Sequence, residues 1–474
     1  MKNIKTFIIT VLALFIFMPT NTKAALTDIE FSSGGKIDEE TYVYTGNDGS
    51  NSAVVMKKLD GTILWTKEYT GLELNALTVT TDGYIVVVGV NKIIKFDASG
   101  NVVWEKDFIG KYSAIIPEEN GAFTFSGQNV DGLVIKFDKD GNELARGKLV
   151  GAHGANFRGL DKTKDGGYIA VGLTYSHDLG IRDTCTAIIA KFDKDFNLVW
   201  NTYFGGNNSD EYSGVATDKD GNYLAVGRTY SPEKVQFSTN GTSDAVIVKY
   251  DKDGNVLWEK IYGGTDHDRF KAISITEDGV SLVAGFSKSS EIATNGGYDS
   301  LLLNVDKDGN ILKEEVFGTP DGDETYGMIP MSDSIIVLLG LFPTENEYFK
   351  DGSMVFKKSF KVELDTTLSD KVSIQSDTFR YSDNVEINID ESIKDKVFVK
   401  IYNLNTNKEV TNLVNYKDGK FVMPGYDVKV VVGELITVPP TGDNILTYMI
   451  LALISVVAIT SILIFSKKDT KSSK

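Results

Sequence analysis

The chain has 474 residues, enough for two or three domains, and its 42% hydrophobic and 11% aromatic content excludes a disordered protein. One cysteine, Cys185, excludes an internal disulfide, so stability must come from packing. A net charge of −17 sets the chain against nucleic acid and anionic lipid and leaves cations and basic surfaces as the favoured partners.

In chain order, residues 1–24 come first. Lys2 and Lys5 precede an apolar run from Phe7 to Met18 and a small-residue end at Thr22–Ala24. That is the pattern of a secretory signal peptide, cut after Ala24 or Ala25. Without its three lysines, and without the net +2 of residues 443–474, the mature segment carries about −22.

Next comes a repeat. VVMKKLDGTILWTKEYTG, IIKFDASGNVVWEKDFIG, LVIKFDKDGNELARGKLVG, IIAKFDKDFNLVWNTYFGG, VIVKYDKDGNVLWEKIYGG and LLLNVDKDGNILKEEVFG align on one turn. Four residues past the turn stand Trp65, Trp104, Ala145, Trp200, Trp258 and Lys313, about 40 residues apart early and 55–58 later. Each copy alternates with period two on either side of an Asp-Gly-Asn-type turn, which reads as a hairpin. Two further strand-like runs precede each hairpin, as in SGVATDKDG and NYLAVGRTYS.

Each unit is therefore four antiparallel strands. A lone four-stranded sheet cannot bury both faces, whereas a ring of such sheets can. The expectation is all-β: a β-propeller of four-stranded blades over residues 25–368, with seven blades favoured and six the alternative. TYGMIPM, SIIVLLGLF and SMVFKKSFKVEL supply a partial seventh unit. The early IEFSSGG is similar to a final outer strand such as WNTYFGG, and would close the ring against the last blade.

Asp244–Lys249, Asp253-Gly254-Asn255, Trp258 and Gly263-Gly264 resemble the SBBP-type propeller repeat of bacterial surface proteins. The resemblance covers about residues 30–365 and implies the fold, not an activity. Residues 369–437 contain VSIQSD, VEINID, KVFVKIYNL and KFVMPGYDVKVVVGEL, which predict a small Ig-like β-sandwich serving as a stalk.

Val438-Pro439-Pro440-Thr441-Gly442 then precedes an apolar, uncharged segment at 445–465, long enough for a transmembrane helix, and a basic tail at 466–474 with Lys467, Lys468, Lys471 and Lys474. This order resembles the Gram-positive cell-wall sorting signal, with valine in place of the usual leucine. The resemblance implies sortase and peptidoglycan as partners, cleavage after Thr441, and membrane contact only through the span before processing.

Long loops should carry function on a rigid scaffold. Those between second and third strands and those between blades lengthen in units four to six. The blade-to-blade loops repeat acidic positions: Asp210-Glu211, Asp268-Arg269 and Asp323-Glu324, with Tyr212, Phe270 and Tyr326 nearby. One reading places them at the channel mouth as ligand-binding groups, with calcium as a low-order alternative to no cofactor at all. The other makes each aspartate the cap of its own loop, and recurrence once per blade favours it.

Asp138, Asp140, Asp251, Asp253, Asp306 and Asp308 read as turn residues, and His153, His177 and His267 as solvated loop histidines. Cys185 reads as a buried apolar residue, and the tryptophans as packing between blades. No metal site is expected. The function expected is a non-enzymatic binding or adhesion scaffold, anchored to the cell wall, with an unknown extracellular ligand. The alternatives are a propeller lyase or glycosidase using Asp210, Asp268, His267 or Asp323, and an envelope component without a soluble ligand.

Overall fold

The computed structural model describes residues 28–435, except 151–154, 176–184, 232–241, 294, 333, 343–348, 381–382 and 426. The signal peptide at 1–24, the sorting motif Val438–Gly442, the span at 445–465 and the tail at 466–474 lie outside the described residues. Among the described residues no helix is long and apolar enough to cross a membrane.

Two compact units divide at Lys357/Lys358. The first consists of antiparallel sheets, four strands each, apart from one of six. Blade 1 runs through Glu30–Lys36, Thr41–Asn47, Asn51–Lys58 and Ile63–Thr70, in that spatial order. Blades 4, 5 and 6 repeat the plan and begin at Asn156, Asp210 and Asp268.

The six-stranded sheet holds blades 2 and 3. In its long strand Ile85–Phe96, Ile85 and Val87 share a core with Ile94 and Phe96, whereas Val86 and Val88 share one with Ile93. A straight strand would put residues an odd number apart on opposite faces. The alternation breaks at Asn91, whose φ is 56°, so this element supplies two strands. Val102–Pro117 likewise divides at Gly110 (φ 146°): its first half pairs with Lys92–Phe96, its second with Phe123–Gln128.

Blade 7 has Glu324–Ser332, Ile335–Leu341 and Ser353–Lys357, with only Phe349–Lys350 beside them. The described residues of the first unit thus form seven blades.

Packing between sheets explains the strand compositions. The middle strands, such as YIAVGLT and TAIIAKF in blade 4, are buried along their whole length because both faces meet a neighbouring blade. Val43 and Val54 pack on Val87, Val134 on Phe157, Ile169 on Tyr223, Val226 on Leu301, and Leu302 on Leu338. The circuit closes where Phe31, Tyr42 and Tyr44 of blade 1 meet Ile329 and Val337 of blade 7. IEFSSGG is therefore not an outer strand of the last blade. Glu30–Lys36 is the innermost strand of blade 1, and closure comes from face-to-face packing.

The repeated tryptophan and the turn glycine belong to one contact. Trp65, Trp104, Trp200 and Trp258 donate their indole N–H to Ala98 O, Lys139 O, Lys252 O and Lys307 O, each in the hairpin of the following blade, at 3.1–3.3 Å. A Cβ on Gly100, Gly141, Gly254 or Gly309 would fall about 3 Å from the facing indole. Where the tryptophan is replaced by Ala145, the facing glycine is replaced by Phe196, which keeps positive φ (65°) and packs into the same core as Ala145.

In the second unit, Ser359–Thr366 pairs in parallel with Val428–Glu434, and Val397–Asn403 and Thr378–Arg380 complete that sheet. Val372–Ile374, Asn384–Ile389 and Lys420–Val422 form the other. Val362, Ile387, Ile401, Phe421 and Val430 make one core between them. The parallel pairing draws Ser359–Thr366 into this unit, so it starts earlier than the expected residue 369.

Candidate functional site

The acidic pairs split into two roles. Asp210, Asp268 and Asp323 are fully buried. Asp210 accepts hydrogen bonds from Thr229 Oγ1, Ser231 Oγ (2.8 Å) and the Gly206 N–H (2.9 Å). Asp268 repeats the pattern with Ser287 Oγ, Ser289 Oγ (2.7 Å) and the Gly264 N–H (2.9 Å). Asp323 accepts from the Thr319 N–H (2.6 Å) and Thr319 Oγ1 (2.8 Å). Their own N–H groups donate to Cys185 O, Ser243 O and Tyr298 O in the preceding blade. Each aspartate therefore clamps the loop between two blades. Burial, outweighing these donors, raises all three carboxyls above the usual range. Tyr212 is also buried, with its hydroxyl 2.7 Å from that of Tyr250.

The residue after each aspartate pairs with other side chains instead. Glu211 Oε2 lies 2.5 Å from Arg158 Nη1, and Oε1 lies 2.7 Å from Arg228 Nε and 2.6 Å from Arg269 Nη2. Burial alone would raise the Glu211 carboxyl, but Arg269, Arg158 and Arg228 hold it at about 2. Burial lowers Arg269 to about 10 despite Glu211. Glu324 accepts from the Tyr326 hydroxyl at 2.7 Å. The structure thus joins Glu211 to Arg269, sets Glu324 beside Tyr326, and removes Asp210, Tyr212, Asp268 and Asp323 into the walls.

A feature that sequence reading missed organises this region. Every inner strand carries a register shift at the same place, with a second at Met331 in blade 7, and the extra residues at the shared place are Ser32, Asn75, Ser113, Arg158, Ser213, Lys271 and Tyr326. A β-bulge re-aims a side chain. All seven line one cavity of about 610 Å³. The next residue is Ser, Ala or Gly in every blade, because inner strands approach closely near the axis: a Cβ on Gly327 would lie 2.3 Å from Ser32 O, and one on Gly159 3.1 Å from Gly214 Cα. The available signal in blades 1 to 6 was an aromatic or leucine, a variable residue, then a small one, as in Phe157-Arg158-Gly159 and Phe270-Lys271-Ala272.

Elsewhere, the Asp-Lys-Asp-Gly-Asn segments are self-contained turns. Asp251 Oδ1 accepts from the Asp253 and Asn255 N–H groups and Oδ2 from Asn255 Nδ2, all at 2.9 Å; Asp138 and Asp306 repeat this. Among the described residues no three His, Cys, Asp or Glu side chains converge to hold a metal. His267 is half-exposed, with Nδ1 3.4 Å from Ser243 Oγ. His153 and His177 lie outside the described residues. Cys185 is buried.

Residues 27–184 match a family model described as the outer membrane protein assembly factor BamB. That segment takes in blades 1 to 3 and much of blade 4. The chain carries β-propeller repeats. A WD repeat-containing protein of Acanthamoeba polyphaga mimivirus is 26% identical over 176 residues, 35% of this chain and 12% of that protein. The regulatory protein FlaEY of Caulobacter vibrioides is 25% identical over 182 residues, 35% of this chain and 19% of that protein. The matched part is thus a small fraction of both relatives. Among solved structures, BamB from Moraxella catarrhalis is 13% identical with a TM-score of 0.42, covering 69% of this chain and 85% of that one. A protein of unknown function from Bacteroides caccae is 14% identical with a TM-score of 0.37, covering 58% and 92%.

Proposed function

We propose that the protein is a non-enzymatic binding scaffold, displayed outside the cell and joined to the wall through Thr441, which engages an extracellular ligand at the loop end of the ring. The observation that carries this reading is the fate of the recurring aspartates. Asp210, Asp268 and Asp323 are enclosed and consumed by loop clamps. They make the loop end a rigid platform and are screened from any substrate. A lyase or glycosidase would instead need an accessible acid and base at that end. The match to a model described as an assembly factor supports a protein-binding role. Sequence order alone (motif, apolar span, basic tail) supports the wall attachment.

The test is a glycan and matrix-protein array probed with the mature chain, with and without calcium. Binding should vanish when residues 175–185, 230–244 and 287–298 are shortened; binding that survives rejects the loop end as the binding face. For attachment, Thr441→Ala should release the protein from the wall fraction, and covalent retention on peptidoglycan rejects the sorting reading.

A further inference from the structure

The walls of the ring repeat, whereas the bulge ring has serine in blades 1, 3 and 5 and a different residue in each of the other four. A side chain used by the fold recurs in kind, as the clamp aspartate does in blades 5, 6 and 7 and the indole in blades 1, 2, 4 and 5. The bulge positions carry serine, asparagine, serine, arginine, serine, lysine and tyrosine in turn, on a backbone that repeats faithfully. Variation on an invariant frame marks the positions that the frame exists to present.

Charge points to the occupant. In a chain of net −17, the described cavity lining has four cations, Lys111, Arg158, Arg269 and Lys271, against one carboxylate, Glu30. Glu211, just behind, is shared by Arg158 and Arg269. Lys271 Nζ sits 4.4 Å from the centre of the Tyr326 ring, and among the described residues it has no carboxylate within ion-pair distance. Burial and the nearby Arg269 drive its pKa well below the ordinary value, against the pull of Glu211 and Glu30, so an added carboxylate would favour its charged form. Arg269 is 8% exposed, and its buried Nε has no hydrogen-bond partner among the described residues; buried Asn156 Oδ1 has none either. Buried polar atoms are normally satisfied, and these two residues line the cavity with hydrogen-bonding capacity to offer.

Size and neutral lining narrow the chemistry. A space of about 610 Å³ is in the range of small-molecule sites and far exceeds a simple oxyanion. The rest of the mouth offers hydroxyls and amides, among them Ser113, Ser213 and Gln128. We propose that this cavity binds an acidic sugar unit, a hexuronate, with its carboxylate on Lys271 and Arg158 and its hydroxyls on the surrounding serines and amides. This rests on the loop-end reading and names the ligand class for it.

The experiment is calorimetric titration of the mature chain with D-glucuronate and D-galacturonate, with glucose as the neutral counterpart and acetate as the bare anion. At least one uronate should bind about tenfold or more tightly than both glucose and acetate. Lys271→Met should remove that preference and Lys271→Arg restore part of it; Ser113→Trp, which fills the space, should abolish binding. Equal affinity for uronate and glucose, acetate binding as well as the uronates, no uronate binding at millimolar concentration, or Lys271→Met without effect would each overturn the proposal. Loss of array binding on loop shortening, with uronate binding retained, would leave this site standing apart from the macromolecular face. Uronate binding with an unaffected array would sink the loop-end reading alone.

Discussion

The clamp aspartates and the bulge ring lie a few residues apart on the same inner strands, yet they behave oppositely. Asp210, Asp268 and Asp323 keep one residue type, are sealed, and satisfy their own loops. Arg158, Ser213, Lys271 and Tyr326 change type from blade to blade and open onto one cavity. In a repeat protein, recurrence marks what several blades need in order to stand, and departure from recurrence marks what the assembled ring needs only once.

The predictions that test this contrast run from large effects to small. Phe31→Ala should cost about 3–5 kcal/mol, because it empties the fully buried contact by which blade 1 meets blade 7. A melting temperature near that of the parent would deny that the ring closes there. Glu211→Gln, at the one axial carboxylate locked by three arginines, should cost about the same as breaking any buried ion pair, ~3–5 kcal/mol at neutral pH.

The pH dependence is specific. The Glu211 carboxyl is held at about 2 against an ordinary 4.5, so its contribution is complete above pH 4.5 and is lost as pH falls toward 2. The gap in melting temperature between parent and Glu211→Gln should therefore narrow between pH 5 and pH 3; a constant gap would refute the ion-pair account. Asp268→Ala should cost about 2–3 kcal/mol by stranding Ser287 and Ser289, and chemical denaturation will measure it. Trp258→Phe should cost about 1–2 kcal/mol, for the hydrogen bond to Lys307 O and the part of the indole ring that packs on Gly309. Lys271→Met should leave stability unchanged or slightly higher, since burial and Arg269 outweigh the pull of Glu211 and Glu30 on its charge. A large loss there would make the bulge residue structural and erase the contrast.

Much of the propeller was legible because its signals are local. The Asp-Gly-Asn hairpins, the period-two strands and the indole position all act within a blade or on its neighbour. The aspartates, too, could be read as clamps from their recurrence alone. What escaped was set by long-range geometry. Hairpin and outer strand look alike at IEFSSGG, and only the meeting of Phe31 with Ile329 decides that this segment lies innermost. The parallel pairing of Ser359–Thr366 with Val428–Glu434 leaves no local mark, so the second unit was placed too late in the chain. The bulge ring was missed because a one-residue register shift is invisible until two strands are paired. Glu211 and Arg269, 58 residues apart, gain their meaning only when the ring puts them 2.6 Å apart.

The exchange of tryptophan and glycine for Ala145 and Phe196 has a consequence for assembly. Blades built from near-identical phrases risk docking in the wrong sequence during folding. A flat indole facing a bare backbone is one key; a small methyl facing a phenyl ring is another. Were blade 5 to seat itself after blade 3, Ala145 would confront Gly254 across a void, and Phe196 would be driven into whichever indole met it. The mismatch singles out blade 4 as the neighbour that blade 3 fits without a hole or a collision, an address written into the chain at one junction of the ring.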